Sequence, residues 1–419
     1  MSAETPPAAG HDPYAALRFP DFRRLLGGGF LITSALLIQY VVLGYELYRI
    51  TRNPLMLGLV GLAEAIPFMG LALFGGYVAD RYSKVRVMQR AAAALVLSSL
   101  VLVWATLPES RARIGQTGML VAIYSSIFVI GLARGFYAPA ASALRAFLVP
   151  RAVFPNAASW ASSFWQAGAV LGPLAGGLLY AALGLTATLL LVVGLMLANL
   201  LLIGRIQPPP VVAEAAQGGV WHSLREGLRY VWRTKVILYA LSLDMFSVLF
   251  GGVVALLPIF AEDLLKVGPE GLGLLRAAPA LGALLTVLAC AWIPPTRRPW
   301  RNLLAAVTGF GAATLVFGLS DHFLLSLLAL FLTGAFDSIS VVIRNTLLQV
   351  MTEDAMRGRV FAVNSVFVSA SNELGAFQSG VSASLLGPVR AVLAGAGITF
   401  VVVFLVARRS RDLLQVRLH

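Results

Sequence analysis

The apolar residues of this chain come in runs of roughly 20, such as Leu178 to Ile203 and Ala391 to Ala407, separated by short polar breaks. Runs of that length match helices crossing the hydrocarbon of a bilayer, which is about 30 Å thick. Twelve spans can be read, near 26–48, 56–79, 87–107, 118–144, 157–182, 184–204, 236–261, 270–293, 302–320, 323–349, 360–384 and 388–407. The predicted fold is therefore an all-α membrane protein with twelve transmembrane helices. Composition agrees: 58% of the 419 residues are hydrophobic and only 12% are charged, about half the charged share of a soluble domain. The lone Cys290 lies in one of the runs, which excludes a disulfide framework or a thiolate metal site.

A net charge of +13 would suggest nucleic acid as the partner of a soluble protein. The placement of the charges points to the lipid bilayer instead, and no nucleic-acid partner is expected. With the N-terminus inside, 23 of the 32 basic residues fall on the cytoplasmic side. Six fall outside (Arg49, Arg52, Arg111, Arg113, Lys266, Arg390), and Arg134, Arg276 and Arg344 lie within spans. An excess of cations on inner loops places both termini in the cytoplasm. Residues 1–17 lack the apolar core of a cleavable signal peptide and read as a polar tail.

After the sixth span, Arg205-Ile-Gln-Pro-Pro-Pro210 opens a polar linker, whose composition separates units and does not cross a bilayer. Beyond it, Arg225, Arg229 and Arg233 recur every four residues beside a stripe of Leu224, Leu228 and Trp232. This predicts an amphipathic helix within Trp221 to Lys235, lying on the anionic inner membrane face. The expected units are a tail (1–17), a six-helix bundle (18–204), the linker (205–235), a second six-helix bundle (236–407) and a tail (408–419). The bundles resemble each other. A shift of 212 lays Gly61-Leu-Ala-Glu64-Ala-Ile-Pro67 on Gly273-Leu-Leu-Arg276-Ala-Ala-Pro279, and a shift of 203 lays Gly131-Leu-Ala-Arg134 on Gly334-Ala-Phe-Asp337. The second register also matches Gly172 to Gly375 and Gly177 to Gly380. The halves are thus expected to be pseudo-symmetric, as in transporters built from parallel repeats.

Three motifs carry a resemblance to a known family. Gly75-Gly76-Tyr-Val-Ala-Asp80-Arg81-Tyr-Ser83-Lys84-Val-Arg86 resembles the signature loop of the major facilitator superfamily. Gly168-Ala-Val-Leu-Gly172-Pro173-Leu-Ala-Gly176-Gly177 is similar to that family's antiporter motif in the fifth span. Met351 to Val360, with Arg357-Gly358-Arg359, and Asn372-Glu373-Leu-Gly375 resemble the exporter branch that includes enterobactin and macrolide exporters. Ser83 stands where the family usually has Gly, and Ile293-Pro-Pro-Thr-Arg297-Arg298 lacks the Asp of a second signature loop. A salt-bridge latch of this kind would be one-sided.

The resemblance implies a gate at Gly76, Asp80, Arg81, Lys84, Arg86, Gly358 and Arg359. There a carboxylate meets the start of the eleventh helix, an arrangement that gains about 0.3–1 kcal/mol. The glycines at 168, 172 and 176 share one helix face with Pro173 and Gly177 nearby, which serves close packing as well as any coupling role. Charges inside spans are costly and mark function or static pairs. Here they are Glu64, Arg134, Asp244, Arg276, Asp337, Arg344 and Glu373, with Glu46 near the outer boundary. Asp337 and Arg344 lie two turns apart on one face, too far for a direct bond. In the family, spans 1, 4, 7 and 10 line the path, which favours Asp244, Arg134, Asp337 and Arg344; Glu64, Arg276 and Glu373 sit on spans that join the halves. The proton-coupling candidates are Asp337, Asp244, Glu373 and Glu64, with Arg134, Arg344 and Arg276 as their charge partners. Gln39, Tyr40, Phe136, Tyr137, Phe246 and Asn345 are candidate contacts for an amphipathic ligand.

The expected function is secondary active export of a small molecule, of the siderophore or amphipathic-drug class, by alternating access with H+ antiport. The setting is a bacterial inner membrane and the working unit a monomer. A proton-coupled importer of the same fold is the alternative. Neither a metal nor a cofactor is expected, and no enzyme activity, because His11, His222, His322 and His419 lie outside the spans or at their edges and no phosphate-binding Gly-rich loop occurs. A transport-dead receptor would not need so many charges within the membrane.

Overall fold

The computed structural model describes residues 12–208 and 220–415; most of the N-terminal tail, most of the Pro-rich linker and the last four residues lie outside them. Helix α1 spans Pro20–Thr51, α2 Pro54–Arg81, α3 Lys84–Thr106, α4 Pro108–Leu148 and α5 Phe154–Gly204. The surface helix α6 spans Val220–Arg233, followed by α7 Lys235–Gly251, α8 Gly268–Trp292, α9 Pro299–Leu319, α10 Phe323–Met351, α11 Asp354–Leu386 and α12 Pro388–Arg409. Proline in the first turn starts α1, α2, α4, α8, α9 and α12, where its missing N–H costs nothing. Asn53 caps α2 by accepting from the Leu55 amide at 2.9 Å. Gly184 takes a φ of 77° and breaks α5 into the fifth and sixth spans, a conformation that favours glycine.

Among the described residues, twelve helical segments are placed as crossings. Ten stretches are long and apolar enough by themselves, and one of them, Arg151–Gly204, holds two spans. The twelfth crossing is α11, whose 33 residues reach about 50 Å but carry too many polar side chains to stand out. The seventh span departs from the single run expected. Helix α7 stops at Gly251, and the chain continues through short turns to a π-helical Phe260–Leu264. The Gly252 carbonyl freed by this break accepts from Ser379 of α11 at 2.9 Å, the kind of repair that lets broken helices persist in a membrane.

In the first half α1 lies along α5, and α4 packs on α2 and α3. In the second, α10 packs on α8 and α9, while α7 and α9 meet α12. The repeat is visible in equivalent contacts: Gly131 lies against Pro67 where α4 crosses α2, and Gly334 lies against Pro279 where α10 crosses α8. Two seams join the halves, α2 with α11 and α5 with α8. A Cβ at Gly61 would stand 2.6 Å from the Glu373 carbonyl oxygen, and one at Gly177 would stand 2.8 Å from Gly273 Cα. Gly380 fits as closely against Gly58. The glycines matched by the repeat, Gly61 with Gly273 and Gly177 with Gly380, are therefore the ones that let both seams close.

Helix α6 was expected to lie on the membrane face. Its Gly227 and Val231 side docks on α11, with Gly227 against the Arg359 carbonyl and Val363, while Leu228 and Trp232 on another side remain exposed. Arg225, Arg229 and Arg233 are at most half-buried, and the side chains of Trp221 and Leu224 lie outside the described residues.

Substituting Gly61→Leu should destabilise the fold by about 1–3 kcal/mol through overpacking. Gly70→Leu points into open space and should stay within about 0.5 kcal/mol of the parent. Thermal unfolding of the purified variants measures the difference.

Candidate functional site

Between the halves lies a cavity of about 280 Å³, walled by Tyr40 of α1, Glu64 of α2, Arg134 of α4, Arg276 of α8, and Asn372 and Glu373 of α11. Arg134 forms an ion pair with Glu64 of its own half and, at 3.1 Å, with Glu373 of the other. Its guanidinium also lies 5.1 Å from the Phe68 ring centroid. Close approach at Gly131, one turn earlier, sets α4 against α2 at Glu64. Arg276 makes no ion pair among the described residues, and its guanidinium stands 6.0 Å from the Tyr40 ring. The four charges sum to zero, as a site in hydrocarbon requires.

The expected division of labour by span does not hold at this cavity. Glu64, Arg276 and Glu373, which sit on the joining helices, line it together with Arg134, because the closed seams draw α2, α8 and α11 over the path. Asp244, Asp337 and Arg344 form a separate cluster inside the second half, where Arg344 pairs with Asp244. Asp337 and Arg344 make no direct bond, as their spacing implies.

Every hydrogen bond or ion pair between the halves among the described residues lies at the cavity or on the side of the bundle away from the chain termini. At that far end Arg52 pairs with Asp263 at 2.6 Å and with Glu262 at 3.1 Å. Tyr45 and Tyr48 donate hydrogen bonds to the same two carboxylates. Arg52 holds a φ of 48° at the end of α1, which turns the chain so that its side chain reaches across. Behind this latch, the fully buried Glu46 binds Arg49 at 2.9 Å, Arg111 at 3.0 Å and Tyr180 at 2.8 Å, tying α1 to α4 and α5. The latch was not anticipated; its signal was the pair Glu262-Asp263 ending the seventh span opposite Arg49 and Arg52, two of the six basic residues expected outside.

The described residues of the gate expected near the termini make no hydrogen bond or ion pair between the halves. Positions Gly76 and Gly358 have no neighbour within 4 Å of an added Cβ. Arg81 stacks on Tyr77 at 4.5 Å, Lys84 lies 4.8 Å from the Phe147 ring, Arg86 is exposed, and Arg359 pairs with Glu226 of α6 at 2.9 Å. The side chain of Asp80 lies outside the described residues. Among the described residues, the polar contacts that join the halves thus lie at the cavity and at the far end.

In the glycine motif, Gly168, Gly172 and Gly176 pack on Thr33, Leu37 and Ile38 of α1, while Gly177, with the Pro173 carbonyl beside it, meets Gly273 of α8. Of the candidate ligand contacts, Tyr40 reaches the central cavity. Gln39 does not: it is fully buried and bonds Ser126 at 3.0 Å and Ser99 at 3.1 Å inside the first bundle. Tyr137 accepts from Asn199 and lines a separate aromatic pocket of about 120 Å³ with Phe30, Phe164 and Trp165. Phe136 packs in a core cluster, Phe246 stacks on Phe250, and Asn345 is exposed.

The profile of the family described as Major Facilitator Superfamily matches residues 25–376. Enterobactin exporters EntS of Shigella boydii serotype 4 (strain Sb227) and Escherichia coli O81 (strain ED1a) are each 27% identical over 408 residues, covering 94% of both chains. Among solved structures, the nucleoside transporter NupG superimposes with a TM-score of 0.72 at 14% identity, covering 95% of this chain and 100% of its own. A bacterial homologue of the human lysosomal transporter Spinster, in an inward-facing and unoccupied conformation, gives 0.73 at 16% identity, covering 96% and 99%. At these identities the structures speak for the fold.

Replacing Arg52 by Ala should open the far end. Removing two partly exposed ion pairs, about 1–2 kcal/mol together, shifts the closed population about tenfold. The readout is labelling of a cysteine at position 376, in a chain with Cys290→Ala, by a membrane-impermeant maleimide added from the far side; the rate should rise about tenfold, and less in high salt.

Proposed function

The chain belongs to the major facilitator superfamily and is a multi-pass membrane transporter, and from that premise we propose that it exports a small molecule in exchange for H+. The observation that carries the proposal is Arg134 held between Glu64 and Glu373, one from each half, in a cavity latched at its far end; we read the other end as open. We take the termini as cytoplasmic, so the open end faces the cytoplasm of a bacterium whose inner membrane the chain spans. The path runs within one chain, which suits a monomer.

In this conformation we take Glu373 as ionised, bridging the halves through Arg134. A substrate arriving from the cytoplasm competes for Arg134 and loosens that bridge, so the far seam can part. Facing outward, Glu373 has lost its ion pair with Arg134 and keeps only the more distant Arg276 of its own half, so it takes up a proton more readily. Neutral Glu373 imposes no charge across the seam, and the halves close again; loss of the proton to the cytoplasm restores the bridge. Binding of substrate and proton thus exclude each other, which is antiport.

Export is supported by the relatives described as enterobactin exporters, 27% identical over nearly the whole chain. The mixed-charge cavity beside Tyr40 suits an amphipathic molecule with polar groups at one end, and siderophores and macrolide-like drugs are the classes to test. An importer with the same fold would accumulate the same substrates in cells and release them in inverted vesicles.

In inverted vesicles, Glu373→Gln should lower pH-gradient-driven uptake of a siderophore or macrolide at least about tenfold while exchange without a gradient persists. Full gradient-driven uptake in this variant would refute the role of Glu373.

A further inference from the structure

The cavity between α7 and α10 lies within the second half and has no part in the cycle above. Its volume is about 10 Å³, with Asp244, Ser247, Asp337 and Ser340 around it and Phe310 and Phe336 as apolar walls. That is room for one water-sized occupant. Both helices bring the same pattern, Asp244-Met-Phe-Ser247 and Asp337-Ser-Ile-Ser340. A spacing of three puts each hydroxyl one turn from its carboxylate on the same face.

The charges do not balance. Arg344, with a side chain only 3% exposed, pairs with Asp244, which leaves Asp337 without an ion pair or hydrogen bond among the described residues. Helix α9 contributes only Val307 and Phe310, so the groups facing Asp337 sum to a net charge of −1. An uncompensated charge at this depth calls for a proton or a counter-ion.

The hydroxyls point the same way. Serine and threonine in a helix commonly donate to a carbonyl one turn back, as Thr346, Ser365 and Ser371 do here. Ser247 and Ser340, 4% and 3% exposed, do not; each Oγ is buried without a hydrogen-bond partner. Buried hydroxyls are normally satisfied. Two of them, beside one unneutralised carboxylate and a space for one occupant, form an oxygen-lined shell.

We infer that this pocket binds a single Na+, with Asp337 supplying the charge and the oxygens of Asp244, Ser247 and Ser340 completing the shell. A divalent ion would leave the pocket positive. Na+ is smaller than a water molecule and fits this space, whereas K+ at about water's radius fills it completely; a comparison of the two salts separates them. The inference goes beyond proton-coupled export and does not rest on Glu373.

The test uses the purified full chain, following thermal unfolding in NaCl, KCl and choline chloride at equal ionic strength, together with binding of radioactive Na+. NaCl should stabilise saturably above the other two salts, and Asp337→Asn should abolish both the stabilisation and the binding. Ser340→Ala should raise the half-saturating Na+ concentration about tenfold, and it carries the test alone if Asp337→Asn does not fold. Superimposed curves in the three salts, or Na+ binding of full affinity in Asp337→Asn or Ser340→Ala, overturns the proposal. Gradient-driven transport in Glu373→Gln reports on the export reading separately: its loss with Na+ binding intact leaves this site standing, and absence of Na+ binding with transport intact removes this site alone.

Discussion

An arginine at mid-membrane is tolerable only while its counter-ions stay in reach, and Arg134 takes them from both halves of the molecule. With Glu64 alone it would be neutral. Adding Glu373 makes the local sum negative, and Arg276 on the opposite wall cancels that excess. Each half nevertheless contains one acid and one base, Glu64 with Arg134 and Glu373 with Arg276. Parting the halves therefore leaves two neutral sets and strands no net charge in the hydrocarbon. A device that must close and reopen needs that property, because a lone buried charge would hold one state by several kcal/mol.

Backbone geometry decides where closure happens. The seam glycines allow α2 to reach α11 and α5 to reach α8 only on the far side of the cavity, where Gly58, Gly61, Gly177, Gly273 and Gly380 lie. The Arg52 latch then adds polar contacts that water can replace when the end opens. On the other side Gly76 and Gly358 stand apart, which leaves the counterpart closure available for the alternate state. Packing at one end and space at the other are two uses of the same residue type.

Most of this fold was legible in the sequence, since runs of about 20 apolar residues admit little besides spanning helices, and the glycine registers marked the repeat. The repeat alignment also placed Glu64 and Arg276 at equivalent positions, which the structure sets across one cavity. Side-chain partnerships were less legible. Gln39 looks like a ligand contact on composition, yet its amide is satisfied by Ser99 and Ser126, residues far away along the chain. The Arg52 latch was hidden because topology reasoning treats outside cations as exceptions, when two of them hold the closed end together. Helix α6 reads as membrane-bound from its arginine stripe, and the pattern gave no sign that Gly227 would also seat it on α11.

The halves share a fold and divide the work unevenly, and the seventh span shows how. Its first segment carries Asp244 and Ser247 into the small pocket of the second half. Its last segment carries Glu262 and Asp263 to the latch, and the break at Gly251 and Gly252 lies between. The central cluster senses separation of the halves directly, since Glu373 and Arg134 ride on different bundles. Asp337 and Asp244 ride on the same bundle, so seam opening leaves their spacing unchanged, and they can influence closure only through an element that also touches the seam. The broken seventh span is such an element, with its freed carbonyl bound to Ser379 of the seam helix α11. Because the break is itself tied to α11, a shift of either end of the span is passed to the seam through that bond.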